Sequence, residues 1–312
     1  MPVRWLLLFL ALNGASQVKN VSVKDQEFKI RTDVELVMLD VSVKNPSGGY
    51  VSGLVKNQFQ ILENGVPQTI TEFAVADVPV VVGLVLDQSG SMLPRRASLI
   101  EGGVALIEAG NKLDQIFVVN FNEKVRLGLP ESVQFTDDID LLRKALSIQP
   151  PQGQTALYDA LALALKHLEG GSRERKTLVL ISDGDDNRSK RTFKEVMRQI
   201  EESAATIYTV GLVDPADPDH KPGILKQIAA ISGGECFLPL EGDPILPICQ
   251  KIALDIRNRY TIGYHPVRTG DKAAVRAIRV TASSPDYKKL VVRTRTAYRL
   301  PERTATSTAG SK

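Results

Sequence analysis

The strongest constraint on this chain is a set of uninterrupted apolar runs: VVVGLVLD at Val80 to Asp87, QIFVVNFN at Gln115 to Asn122, TLVLISDG at Thr177 to Gly184 and TIYTVGLV at Thr206 to Val213. A strand with one wet face alternates apolar and polar residues, whereas a strand covered by helices on both faces is apolar throughout. Between the runs lie segments of helical periodicity. In TALYDALALALKHLEGG, Leu157, Leu161, Leu165 and Leu168 form one stripe, and Gly170 with Gly171 supplies a stop. FKEVMRQIEESA, PGILKQIAAISGG and PILPICQKIALDIRNRY give further helices. Strands alternating with helices predict an α/β fold, a doubly wound and mostly parallel sheet flanked by helices, over residues 79–260.

The flanks follow a different rhythm. VELVMLDVSVKN and QFQILENGVPQTITEFAV alternate apolar with polar residues, punctuated by PSGG at Pro46 to Gly49 and by the turn signal Asn64-Gly65. After Tyr260 the alternation returns in YTIGYHP, VRAIRVTAS and LVVRTRTAY, with turns around Thr269-Gly270-Asp271 and Ser284-Pro285-Asp286. Short sheets are marginal in isolation. The N-terminal module, 17–78, and the C-terminal strands, 261–301, are therefore expected to pair into one β-sandwich from which the α/β unit emerges as an insertion. ERTATSTAGSK, 302–312, has no apolar face and reads as a disordered tail.

The N-terminus, MPVRWLLLFLALNGASQ, places Arg4 before an apolar segment from Trp5 to Leu12 and small residues after it, which reads as a signal peptide over 1–16. A spanning helix needs about 20 apolar residues, so the chain is expected to be exported, to the periplasm, cell surface or medium, with no transmembrane span once the signal is removed. A net charge of +3 from 39 basic and 36 acidic residues gives no field that would announce nucleic acid as partner. Cys236 and Cys249 either close a disulfide or remain as two free thiols, and sequence does not choose between them. Zinc would need further ligands beside them, but His167, His220 and His265 are scattered.

In a doubly wound sheet, ligands bind beyond the carboxyl ends of the strands. Two apolar runs end there on acids, at Asp87-Gln88-Ser89-Gly90-Ser91 and at Asp183-Gly184-Asp185-Asp186-Asn187. Thr155 precedes the apolar helix between them and is a candidate N-cap. A hard divalent cation accounts for this combination: Mg²⁺ takes oxygen donors and commonly keeps part of its shell as water. Alternation lets the oxygens of Asp87, Ser89 and Ser91 converge, and Gly90 is expected to relieve the backbone at the turn. An incomplete shell favours an anionic oxygen from outside.

Asp87-x-Ser89-x-Ser91, the later Thr155 and the still later Asp183-Gly184 resemble the metal-ion-dependent adhesion site of von Willebrand factor A domains. The resemblance implies Ser89 and Ser91 as direct ligands, Thr155 as a ligand that joins in the ligand-competent state, and Asp87 and Asp183 as the charged pair. It further implies Mg²⁺, with Mn²⁺ or Ca²⁺ as alternatives, and a protein partner supplying an Asp or Glu carboxylate to the remaining vertex. The flanks VSGLVKNQFQILENGVPQTITEF and NRYTIGYHP are similar to those of exported bacterial VWFA-related proteins typified by the Acidobacteria. Arg95, Tyr158 and Asp185 are candidates for contact with the partner.

Other chemistries fit less well. Counted from Asp183, an EF-hand loop would need Gly and Glu where Arg188 and Lys194 stand. Asp87 as the nucleophile of a phosphoester hydrolase lacks a second acid close by, and a serine hydrolase lacks a base near Ser89 or Ser91. The expectation is a non-enzymatic adhesion or protein-interaction module. A metal-dependent phosphoester hydrolase, or an envelope component with a purely stabilising ion, is the alternative.

Overall fold

The computed structural model describes residues 36–75, 77–148, 151–212, 222–240, 242–266 and 275–299. The expected signal peptide, the tail and His220 lie outside the described residues. The N-terminal flank forms β1 (Val37–Lys44), β2 (Phe59–Glu63), β3 (Val66–Gln68) and β4 (Ile70–Val75). Asn64 and Gly65 both adopt positive φ, 50° and 82°, the conformation a two-residue hairpin between β2 and β3 requires.

The α/β unit follows: β5 (Val80–Asp87), α1 (Arg96–Glu108), β6 (Gln115–Phe121), β7 (Val125–Leu127), α2 (Ile139–Leu146), α3 (Leu157–Glu169), β8 (Arg175–Ser182), α4 (Phe193–Glu202), β9 (Thr206–Gly211), α5 (Pro222–Ser232), β10 (Cys236–Phe237) and α6 (Ile245–Arg257). Its six-stranded sheet runs β10-β9-β8-β5-β6-β7, parallel except for the short edge strand β7. Every residue of β5 is buried, because β5 is central and helices cover both faces. One layer holds α1, α2 and α6, and α3, α4 and α5 pack together on the other side. Cys236 and Cys249 are free thiols, and burial pushes Cys249 up to about 12, which leaves it protonated and unreactive.

The C-terminal flank supplies β11 (Arg259–Tyr264), β12 (Val275–Ala282), β13 (Val291–Arg293) and β14 (Ala297–Arg299). These strands interleave with the N-terminal ones in two four-stranded sheets, β13-β1-β11-β4 and β14-β12-β2-β3. Leu39, Val41 and Ile262 from the first sheet and Phe59, Ile61 and Val280 from the second share one apolar core, so the two flanks form a sandwich. Glu63 is buried in it, accepting hydrogen bonds from the Tyr264 and Tyr298 hydroxyls at 2.6 and 2.9 Å and pairing with Arg276 at 2.7 Å.

A buried charge cluster joins sandwich and α/β unit. Asp255 of α6 pairs with Lys44 of β1 at 3.0 Å and with Arg259 at the start of β11 at 2.9 Å. It also accepts hydrogen bonds from Ser42 at 2.8 Å and from the Tyr208 hydroxyl of β9 at 2.5 Å. Burial alone would raise the Asp255 pKa, but Arg259, Lys44 and Tyr208 outweigh it and hold the carboxyl well below its usual range.

Candidate metal centre

β5 runs apolar through the middle of the sheet and delivers Asp87, with no exposed surface, to its carboxyl edge. One Asp87 oxygen accepts the Ser89 N–H at 2.8 Å and the other the Ser182 hydroxyl at 2.6 Å. Ser182 ends β8, the neighbouring strand, so sheet register brings it there. Ser89 and Ser91 hydroxyl oxygens lie 3.0 Å apart, and the Ser91 hydroxyl donates to Asp183 Oδ2 at 2.6 Å. Ser89 is buried and Ser91 exposed, so the cluster opens to solvent on the Ser91 side.

Thr155 is fastened to the same edge through its backbone. Its N–H donates to Asn187 Oδ1 at 2.9 Å, and its carbonyl accepts from the N–H groups of Asn187 and Arg188, each at 3.0 Å. Gly90 N–H donates to the Gly153 carbonyl at 3.2 Å and Gln152 N–H to the Gln88 carbonyl at 2.8 Å, tying the Thr155 loop to the serine loop. The N-cap of α3 is Ala156, without a side-chain bond, so Thr155 is not the cap. Its hydroxyl, in a buried residue, forms no hydrogen bond among the described residues.

Gly90 does not relieve the turn through a left-handed backbone, contrary to what its place in the loop predicts. Gly90 has no positive φ, whereas Gly153 and Gly184 do, at 79° and 91°. The strained backbone lies in the loops that carry Thr155 and follow Asp183, and there a side chain would oppose the turn.

Burial, and then the charge of Asp183, raise the Asp87 pKa to about 7 against the opposing hydrogen bonds of Ser182 and Ser89. Two acids thus meet, and neither Asp87 nor Asp183 forms an ion pair among the described residues. No three His, Cys, Asp or Glu side chains gather as metal donors among the described residues. The candidate donors, the carboxylates of Asp87 and Asp183 and the hydroxyls of Ser89, Ser91 and Thr155, are all oxygen, a set that would suit a hard divalent cation rather than zinc or copper.

The sequence model of the von Willebrand factor type A domain matches residues 82–241. The chain belongs to the von Willebrand factor type A domain family. Among solved structures, a von Willebrand factor type A protein from Catenulispora acidiphila is 16% identical, covers 88% of this chain and 76% of its own, and superposes with a TM-score of 0.50. The vWF domain of the type V pili tip protein Mfa5 from Porphyromonas gingivalis is 16% identical over 58% of this chain and 97% of its own, with a TM-score of 0.48. No curated protein matches the sequence.

The candidate partner residues of this A domain differ in setting. Arg95 is half-buried at the start of α1, with no hydrogen bond or ion pair among the described residues, while Arg96 Nη2 donates to the Ser147 carbonyl at 2.9 Å. The Tyr158 ring packs against Phe193 with centroids 5.8 Å apart, and its N–H donates to Asp186 Oδ1 at 3.2 Å, so it also braces the A domain's own loop. Asp185 N–H donates to Asp183 Oδ1 at 3.1 Å, which orients that carboxylate. Ser182 and Asn187 were missed by sequence reasoning. Ser182 precedes Asp183 at the end of an apolar run, a position whose neighbour across the sheet only the strand order reveals.

Proposed function

We propose that this A domain binds a divalent cation, Mg²⁺ first and Mn²⁺ or Ca²⁺ as alternatives, through Ser89, Ser91 and Thr155 with Asp87 and Asp183 supplying charge. The bound ion then engages an Asp or Glu side chain of a protein partner. The observation that carries this is the run of oxygens from Ser89 through Ser91 to Asp183, at 3.0 and 2.6 Å, opening to solvent at Ser91. An ion held there leaves room on the open side for an outside carboxylate, and its charge answers the unneutralised acids beneath.

The role is interaction rather than catalysis. Asp87 is wholly buried with both oxygens engaged, a poor placement for a nucleophile. His167 stacks against Phe117 and Phe135, its Nε2 2.9 Å from the Gln134 carbonyl, and is remote in role from either serine. The N-terminal leader and the VWFA-related flanks favour export, and no helix among the described residues is long and apolar enough to cross a membrane.

Calorimetric titration with Mg²⁺ and Mn²⁺ tests the site. Saturable binding is expected, abolished by Asp87→Ala and by Asp183→Ala; unchanged binding in both variants would sink the proposal. Phosphomonoester turnover that EDTA abolishes would favour a hydrolase instead.

A further inference from the structure

We propose that a cleft at the opposite end of the A-domain sheet from the metal centre binds an amphipathic monoanion, a carboxylate on an aliphatic body, with Arg295 as its anchor. This site is independent of the cation and of any partner that the cation engages.

The cleft, of about 1100 Å³, lies where the sheet β13-β1-β11-β4 meets the amino ends of β5 and β8, whereas Asp87 ends β5 at the carboxyl edge. It is large enough for a small organic molecule. Leu36 and Met38, 44% and 36% exposed, line it together with the half-buried Phe73, Val78 and Pro79. An aliphatic body laid on this wall removes apolar surface of both partners from water.

Arg295 supplies the charge. Its Nε donates to the Ala297 carbonyl at 3.1 Å and its Nη2 to the Glu201 carbonyl at 2.7 Å, and the guanidinium lies 5.6 Å from the centre of the Tyr298 ring. These contacts fix the group without neutralising it. Among the described residues Arg295 forms no ion pair, and its Nη1 donates no hydrogen bond. Burial outweighs the attraction of Tyr298, Tyr264 and Glu201 and lowers the Arg295 pKa to about 10, so an anion beside it would offset a cost that the fold leaves standing.

The other charges of the cleft are already matched. Arg175 stands 3.2 Å from Asp40, Arg299 3.1 Å from Glu201, and Glu202 2.7 Å from Arg198. The exposed Glu72 and Glu174 are balanced in number by the half-buried Arg173 and Lys176, which leaves Arg295 as the surplus charge. Arg175 Nη1 is buried in the same wall without a hydrogen-bond partner, a second donor not yet answered. One surplus guanidinium suits the single charge and planar fork of a carboxylate better than the double charge of a phosphate.

The test is calorimetric titration of the full chain with octanoate, with octanol as the uncharged control and acetate as the control without a chain. Octanoate is expected to bind at one site, about tenfold tighter than either control. Arg295→Met should remove the preference over octanol, and Arg295→Lys should keep part of it. Ala74→Trp, a change at an exposed position in the cleft wall, should block octanoate and octanol alike, and it keeps the test open should Arg295→Met fail to fold in a melting curve. Equal affinity for octanoate and octanol, no binding of octanoate, or octanoate binding that survives Ala74→Trp would overturn the proposal.

Discussion

Asp87 concentrates the chemistry of the site into one side chain. With its folded pKa raised to about 7 from 3.8, the metal-free protein is favoured by protonated Asp87 at low pH and loses that contribution as pH rises through 7. A cation reverses this, because it requires the charged form. Mg²⁺ is therefore expected to raise the melting temperature more at pH 7.5 than at pH 5.5, read by differential scanning fluorimetry; an equal shift at both would contradict the linkage. Ser182→Ala should weaken Mg²⁺ binding without abolishing it, since it frees one Asp87 oxygen from its 2.6 Å hydrogen bond but removes no proposed ligand. The candidate acids and hydroxyls could be picked out in the sequence because they follow the ends of apolar strands or, for Thr155, precede the cap of an apolar helix. Ser182 and the strained Gly153 and Gly184 were not, since register and φ are set by long-range pairing rather than by neighbours in the chain.

At the level of elements, legibility followed burial and length. β5, β6, β8 and β9 are long apolar runs, and their strand character is overdetermined. β7 and β10, of three and two residues, carry no period that a sequence could display, and their shortness also blunts the sheet edges. α4 shows how a helix start is fixed locally. Thr192 accepts from Glu195 N–H at 3.3 Å while Glu195 accepts from Thr192 N–H at 2.7 Å, a reciprocal capping box. Thr192→Ala is expected to lower stability by about 1 kcal/mol in urea denaturation, with Mg²⁺ affinity unaltered. The hairpin at Asn64-Gly65 was equally readable, because positive φ at two successive positions has few tolerant residues.

For the molecule as a whole, the flanks are inseparable: β11 pairs with β1 and β4, and β12 with β2, across the whole of the intervening α/β unit. Asp255 then locks this sandwich to α6 and β9. Because its folded pKa is depressed, its contribution is present above the ordinary carboxylate range and lost as pH falls below it. Asp255→Ala leaves Lys44 and Arg259 buried with less compensation and should cost about 3–5 kcal/mol by equilibrium unfolding. Asp255→Asn should be milder, and its stability should depend less on pH below 4.

The insertion also has a mechanical meaning. The α/β unit leaves the sandwich at β5 and returns through α6 into β11, whereas the oxygen cluster sits at the far end of β5. A partner pulling on an ion there would load β5 along its own axis, against parallel ladders to β6 over Val81–Asp87 and to β8 over Val80–Leu86. Those hydrogen bonds would share the force in shear instead of opening one after another. The strand that places the candidate site would then also be its tether under tension.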